Sequence, residues 1–171
     1  EDSVLAAANG NMVSIVLRLS NGFGAPAHLA VNAWMLLIND LCRQAVTLRS
    51  MSLRSTGLQQ RDFITLHDIS RVVAHMHFLP KNQVGDGLFN VGSGKSSRVI
   101  DMVELIQSRC AKALGYTPEI IRPQATEHDE NPMLDYRISK LLNTGFSLNG
   151  SPAFEIDKTL RMCKEFFERV Y

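Results

Sequence analysis

The alternation of apolar and polar positions along the chain predicts a series of short strands and amphipathic helices. Residues 12–19 form a short, nearly continuous apolar run with β-branched residues, as in strands covered on both faces of a parallel sheet. Similar runs predict strands at 62–66, 88–91 and 119–121. Apolar residues at helical spacing predict helices over about 28–45, 69–79, 99–113, 138–142 and 156–170. Because strands and helices alternate, the predicted fold class is α/β.

The segments between these elements are less regular. Val46-Thr47-Leu48 is interpreted as a short edge strand, and the glycines and proline of residues 21–26 predict a loop. Residues 1–8 are rich in helix formers, and Asn9-Gly10 is a natural helix stop. A helix of two turns gains little by itself, so we interpret this segment as the end of a longer helix that begins outside the chain. The alternative is a short N-terminal helix docked on the core.

Composition limits the classes of function. The chain has 171 residues, 45% hydrophobic and 20% charged, which fits a single compact unit over residues 1–171. A net charge of +1 without basic runs gives no reason to expect binding to nucleic acid or to a membrane. Three dispersed cysteines predict buried thiols in a reducing, cytoplasmic setting, since they form no pattern typical of disulfides. No apolar run approaches the roughly 18–20 residues that cross a bilayer.

Three motifs carry more specific information. The first is Arg18-Leu19-Ser20-Asn21-Gly22-Phe23-Gly24-Ala25-Pro26, the second begins with Arg61-Asp62-Phe63-Ile64, and the third is Phe89-Asn90-Val91-Gly92-Ser93-Gly94-Lys95-Ser96. In this order they resemble the C-terminal half of the extended short-chain dehydrogenase/reductases, the NAD(P)-dependent sugar-nucleotide epimerases and dehydratases. The first motif departs from the family's Arg-x-x-Asn-x-x-Gly-Pro by the insertion of Ala25.

The resemblance implies the C-terminal, substrate-binding portion of an extended Rossmann-type fold, lacking the N-terminal dinucleotide-binding half. Residues 1–24 and 84–97 would be the last strands and loops of the NAD-binding sheet. Residues 25–83 and 98–171 would form most of the substrate-binding lobe. The implied ligands of the longer parent enzyme are a nucleotide sugar and NAD or NADP, and we expect no tight cofactor binding by this chain alone.

The resemblance also implies roles for individual residues. Arg61 and Asn21 would bind the substrate diphosphate, for which the planar fork of an arginine is well suited. Thr47 and Leu48 match the place where family members hold the nucleotide base through backbone contacts. Leu19 and Ser20 would line the cofactor. The adjacent Asp62 would hold either the arginine or a nearby turn.

Two segments resemble catalytic or phosphate-binding motifs by spacing, but neither fits the motif in full. Residues 92–96 lack the glycine that a phosphate-binding P-loop needs five residues before its Gly-Lys pair, because position 89 is Phe. Tyr136 and Lys140 have the family's active-site spacing, but the family's pair precedes the strand at 13–19. We therefore assign no catalytic residue and no metal ligand to this chain. Asp68 is interpreted as the N-terminal cap of its helix, and Ser97 as the cap of the helix at 99–113.

One departure from the family concerns a second phosphate-binding arginine. At that place the chain has Glu127-His128-Asp129-Glu130-Asn131, and acidic groups repel a diphosphate. Either Arg122 or Arg137 substitutes, or the substrate is not a standard nucleotide sugar. His128 among flexible acids is a weak metal-site signal.

Two hypotheses follow. The chain is the C-terminal part of a longer NAD(P)-dependent epimerase or dehydratase and is inactive by itself. Alternatively, it is a stand-alone, non-catalytic binding or scaffold module derived from the substrate lobe, for which the acidic stretch 127–130 is the only support. Removal of the Rossmann half would bare the apolar strand at 13–19, so we also expect self-association through that surface.

Overall fold

The computed structural model describes residues 1–8, 12–28, 30–126 and 132–167, and these form an α/β fold. The elements, in chain order, are α1 (Asp2–Ala6), β1 (Val16–Leu19), β2 (Asn21–Phe23), α2 (Leu37–Leu48), β3 (Ser50–Ser52), β4 (Gln60–Thr65), α3 (Leu66–His77), α4 (Lys81–Val84), β5 (Leu88–Val91), β6 (Ser96–Arg98), α5 (Val99–Leu114), β7 (Glu119–Ile121), α6 (Ser139–Leu142) and α7 (Pro152–Phe167). The predicted fold class is confirmed.

The described strands form three small sheets. β1 pairs in parallel with β5, β2 pairs in parallel with β4, and β6 adds to β4 in antiparallel orientation. β3 and β7 form a separate parallel pair. β1 and β2 are separated only by Ser20, so one extended segment passes from the first sheet into the second. We call this place the sheet junction, and it positions the residues considered below.

The larger core lies where α2, α5 and α7 pack together against the β2–β4 sheet. The helices bury the apolar stripes that their sequence spacing predicts, including the fully buried Leu41, Ile106 and Leu160. All three cysteines lie in this core as free thiols, as predicted. Burial raises the pKa of Cys110 and Cys163 to about 12, so these thiols are neutral packing groups rather than nucleophiles.

A second core joins α3 and α6 to β5 and to the inner face of β4. Its largest fully buried side chains are Phe89, Ile64 and Leu141. The segment before α6 runs beside β5, where the Asn90 side chain donates a hydrogen bond to the Arg137 carbonyl (3.2 Å). The two cores lie on opposite faces of β4, because successive residues of a strand point to opposite sides.

Two predicted elements are wrong in position. The helix predicted from about 28 begins only at Leu37, although apolar positions before it resemble a helical stripe; Trp34 instead packs edge-on against Phe167 from an irregular segment. The predicted edge strand Val46–Leu48 is the last turn of α2, which ends at Arg49 in a left-handed conformation. The short strand follows it, at Ser50–Ser52.

Helix starts also differ from the predicted caps. Thr65 caps α3, because its hydroxyl accepts a hydrogen bond from the Asp68 amide (3.1 Å). The carboxylate of Asp68 instead binds the amides of Asn149 (3.1 Å) and Gly150 (2.9 Å), so its role is structural. α5 begins after Arg98 rather than Ser97, and Asp101 bonds back to the Arg98 amide.

Some sequence predictions fall on residues outside the description. These are the Asn9-Gly10 helix stop, the residues Leu29 and Val170 at predicted helix positions, and the acidic stretch at 127–131. No helix among the described residues is long and apolar enough to span a membrane.

Candidate functional site

The sheet junction brings together two of the residues predicted to bind a substrate. Asn21 opens β2 and pairs with Phe63 of β4, and Arg61 lies two residues before Phe63. Because residues two apart in a strand share a face, Asn21 and Arg61 project from the same side, with their Cα atoms roughly 8 Å apart. The Asn21 side chain also donates a hydrogen bond to the Asp62 carbonyl (2.9 Å). Residues 21–23 were predicted as a loop, but they form a strand.

Arg61 presents a free guanidinium. Its side chain is exposed, and among the described residues its only hydrogen bond is a long one to the neighbouring Gln60 carbonyl (3.4 Å). Within the described part of the chain it has no ion pair, unlike Arg18, Arg71 and Arg109. A planar cation with free donors at a solvent-facing strand start can bind phosphate or carboxylate oxygens.

Asp62 points to the other face of β4 and is fully buried. Its carboxylate accepts hydrogen bonds from the Ser93 amide (2.8 Å), the Ser93 hydroxyl (2.9 Å) and the Lys95 amide (3.1 Å). Of the two roles left open by the sequence, Asp62 therefore holds the turn and not the arginine. The Gly-Ser-Gly-Lys turn points its amides at the protein's own carboxylate.

A cavity of about 630 Å³ opens beside the exposed face of α2 and the segment that leads into β4. Trp34 and Met35 supply apolar surface, and Arg43, Arg54 and Gln59 supply polar groups. Gln59, which lines the cavity, lies directly before β4 and two residues before Arg61. The sequence did not predict this cavity, because residues 30–36 were placed inside a helix.

Of the two predicted cofactor contacts, Leu19 ends β1 and Ser20 follows it. Leu19 is half-exposed, and the Ser20 amide donates to the Val91 carbonyl (2.9 Å). The Ser20 hydroxyl is buried and has no hydrogen-bond partner among the described residues. Thr47 and Leu48 lie in the last turn of α2, where the Thr47 hydroxyl donates to the Arg43 carbonyl (3.0 Å).

Comparison with solved structures places this arrangement among known folds. ADP-L-glycero-D-manno-heptose-6-epimerase from Helicobacter pylori superposes with a TM-score of 0.66 at 19% identity, over 95% of this chain and 47% of the epimerase. dTDP-glucose 4,6-dehydratase from Bacillus anthracis, in complex with NAD, gives 0.65 at 21% identity, over 90% and 45%. UDP-glucuronic acid 4-epimerase from Bacillus cereus, in complex with UDP-glucuronic acid and NAD, gives 0.64 at 19% identity, over 92% and 46%.

The chain has a partial extended Rossmann-type fold. It spans about half the length of the epimerases and dehydratases that it resembles in structure. No family model matches the sequence, and no curated protein matches it by sequence. At these identities the likeness establishes the fold alone.

Within this partial Rossmann-type fold, Tyr136 and Lys140 do not form a catalytic pair. The Tyr136 hydroxyl donates to the Arg18 carbonyl (2.8 Å), whereas the Lys140 ammonium donates to the Leu88 carbonyl (2.8 Å) and pairs with Asp86. Arg18 lies opposite Asn90, so the two anchoring points are roughly 7 Å apart along the strands. Burial, and secondarily the Asp62 charge, raise the pKa of Tyr136, which is the reverse of what an activated tyrosine base needs.

The two arginines considered as a second phosphate ligand differ in their surroundings. Arg137 is paired with Asp135 (2.6 Å), whose pKa is lowered by the hydrogen bond from the guanidinium. Arg122 follows β7 and donates to the Thr56 carbonyl (2.5 Å), within the segment between β3 and β4. Unlike Arg137, Arg122 has no ion pair among the described residues. Among the described residues, no group of His, Cys, Asp or Glu side chains could hold a metal ion.

Proposed function

We propose that this chain supplies the substrate-binding part of an NAD(P)-dependent epimerase or dehydratase that acts on a nucleotide sugar. The observation that carries the proposal is the exposed guanidinium of Arg61, which has no ion pair among the described residues and shares a face with Asn21. A cavity with an aromatic wall is lined by Gln59, two residues away. The structural likeness to enzymes whose complexes contain NAD and UDP-glucuronic acid supports the choice of ligand class.

The proposed ligand lies at the exposed start of β4. Its diphosphate meets the Arg61 fork, which can donate two parallel hydrogen bonds to phosphate oxygens. Asn21 uses one amide hydrogen on the Asp62 carbonyl, and its second hydrogen remains for a phosphate oxygen. The nucleotide base enters the cavity, where Trp34 and Met35 offer a surface for stacking.

Thr47 and Leu48 remain proposed contacts, although a helical backbone at these positions changes how they would act. Their amides belong to the last turn of α2, so a base would meet side chains or the helix end rather than an edge strand.

The proposed roles of Leu19 and Ser20 concern the cofactor. NAD or NADP would supply hydride transfer when bound to the longer enzyme, and these two residues would border one edge of its ring.

On this proposal the chain binds and orients a substrate but does not perform the chemistry. The sugar would extend from the phosphates toward the sheet junction, and the general acid or base would come from residues outside this chain.

The predicted self-association would use β1, since β5 is the only described strand that pairs with it and Met12, Val13 and Leu19 are each about half-exposed.

Binding of a nucleotide series to the protein tests the proposal. If Arg61 binds the diphosphate, affinity should fall in the order UDP, UMP, uridine, by about tenfold for each phosphate removed. Affinity for UDP should also fall between low and physiological salt, since the site is solvent-facing. Calorimetric titrations that give equal affinities for UDP and uridine would contradict the diphosphate site.

A further inference from the structure

The turn at 92–95, which follows β5, is bound to β4 through a single buried carboxylate. Asp62 accepts three hydrogen bonds from Ser93 and Lys95, at 2.8–3.1 Å, and it has no ion pair among the described residues. Successive amides of a glycine-rich turn form a concavity that attracts anions. Here the anion is internal, because the Asp62 carboxylate accepts the Ser93 and Lys95 amide hydrogens.

The packing around this carboxylate is tight. A Cβ atom on Gly92 would lie 2.5 Å from Asp62 Oδ1 and 2.7 Å from Cε1 of Tyr136. The Tyr136 ring is itself held by the hydrogen bond of its hydroxyl to the Arg18 carbonyl. The turn, Asp62 and Tyr136 therefore form one closed unit, which we call the Asp62 clasp.

The clasp lies directly behind the proposed ligand-binding arginine. Arg61 precedes Asp62 and projects from the opposite face of β4. Its backbone is fixed by pairing with Ser97 of β6, and β6 begins where the clasped turn ends. The Asn21 side chain bonds to the Asp62 carbonyl, so the same peptide segment also fixes the second proposed phosphate contact.

We propose that Asp62 is a positioning residue for the Arg61–Asn21 site: it holds the 92–95 turn closed and so fixes the strand start that presents both side chains. This inference rests on the proposed function. Binding is stronger when the two donors are already fixed in place, because less of the binding free energy is then lost in ordering their side chains. Asp62 would thus strengthen diphosphate binding without touching the ligand.

The Asp62→Asn variant tests this role, since the amide has nearly the same shape but turns one acceptor into a donor facing the Lys95 amide. We expect UDP affinity to fall about fivefold and hydrogen exchange at the Ser93 and Lys95 amides to accelerate. Asp86→Asn is the matched control, because it removes the same charge from an exposed side chain near the start of β5 and should leave both readouts unchanged.

Ser93→Ala keeps the experiment informative if Asp62→Asn does not fold, since it removes only one donor to the carboxylate. It should lower UDP affinity in the same direction, by about twofold. The positioning role would be overturned if a folded Asp62→Asn or Ser93→Ala variant shows faster hydrogen exchange in the 92–95 turn but binds UDP with normal affinity. This conclusion requires that Arg61→Ala still weakens UDP binding. If Arg61→Ala also leaves UDP affinity unchanged, the proposed function fails and this inference fails with it.

Discussion

Replacing Arg61 by alanine is expected to weaken UDP binding at least tenfold. The guanidinium would donate paired, charge-assisted hydrogen bonds to the diphosphate, which contribute about 1.5–3 kcal/mol, and about 1.4 kcal/mol corresponds to a factor of ten. Folding should be unaffected, because Arg61 is exposed and makes only one long hydrogen bond to the part of the chain that the structure describes. Asn21→Ala should act in the same direction more weakly, since a neutral amide contributes less than a guanidinium.

Lys112→Ala is the control for Arg61→Ala, because it removes one positive charge from an exposed position in the last turn of α5. Calorimetric titration with UDP should give the wild-type affinity for this variant. An equal loss of affinity in both variants would mean that UDP binding depends only on the net charge of the protein. Unchanged affinity in Arg61→Ala would remove Arg61 from the site.

Gly92→Ala is expected to lower the free energy of unfolding by about 2–3 kcal/mol. The added methyl group would meet the Asp62 carboxylate and the Tyr136 ring, and both are held in place by hydrogen bonds. Neither neighbour can move away without breaking a hydrogen bond, so the overpacking is not relieved by a side chain that is free to move. Chemical denaturation followed by circular dichroism measures the change.

Gly115→Ala separates this contact effect from the ordinary cost of losing a glycine. Gly115 ends α5 in the left-handed region, with φ of 79°, and nothing lies within 4 Å of an added Cβ. Its replacement should cost only the backbone strain, about 1 kcal/mol. If Gly92→Ala costs no more than Gly115→Ala, the turn is not packed as tightly as the Asp62 clasp requires.

The sequence predicted well those elements in which the apolar pattern and the turn residues at the ends indicate the same boundaries. The strand at 88–91 is bounded by glycines on both sides, and α5 buries its apolar stripe and ends at Gly115. The helix predicted from 28 failed because Ala33 is buried and Trp34 is partly buried by packing on other segments, so their spacing reflects tertiary contacts rather than helical periodicity. The edge strand at 46–48 failed because β-branched Val46 lies on the buried stripe of α2.

The candidate site was partly predictable. The motifs indicated Asn21 and Arg61, and the parallel register of β2 and β4 places them on one face. The role of Asp62 required the structure, because its hydrogen bonds join residues more than thirty positions apart. The cavity beside Gln59 was also hidden, since it is formed by an irregular segment, a helix and a loop that lie far apart in the sequence.

Side-by-side titration of the wild-type protein with UDP and NAD⁺ tests the central claim most directly. Both ligands contain a diphosphate, so the comparison separates a nucleotide-sugar site from a general response to phosphate charge. If the chain supplies substrate binding without the dinucleotide-binding half, UDP should bind saturably and at least tenfold more tightly than NAD⁺. Micromolar binding of NAD⁺, or the absence of saturable UDP binding, would contradict this account.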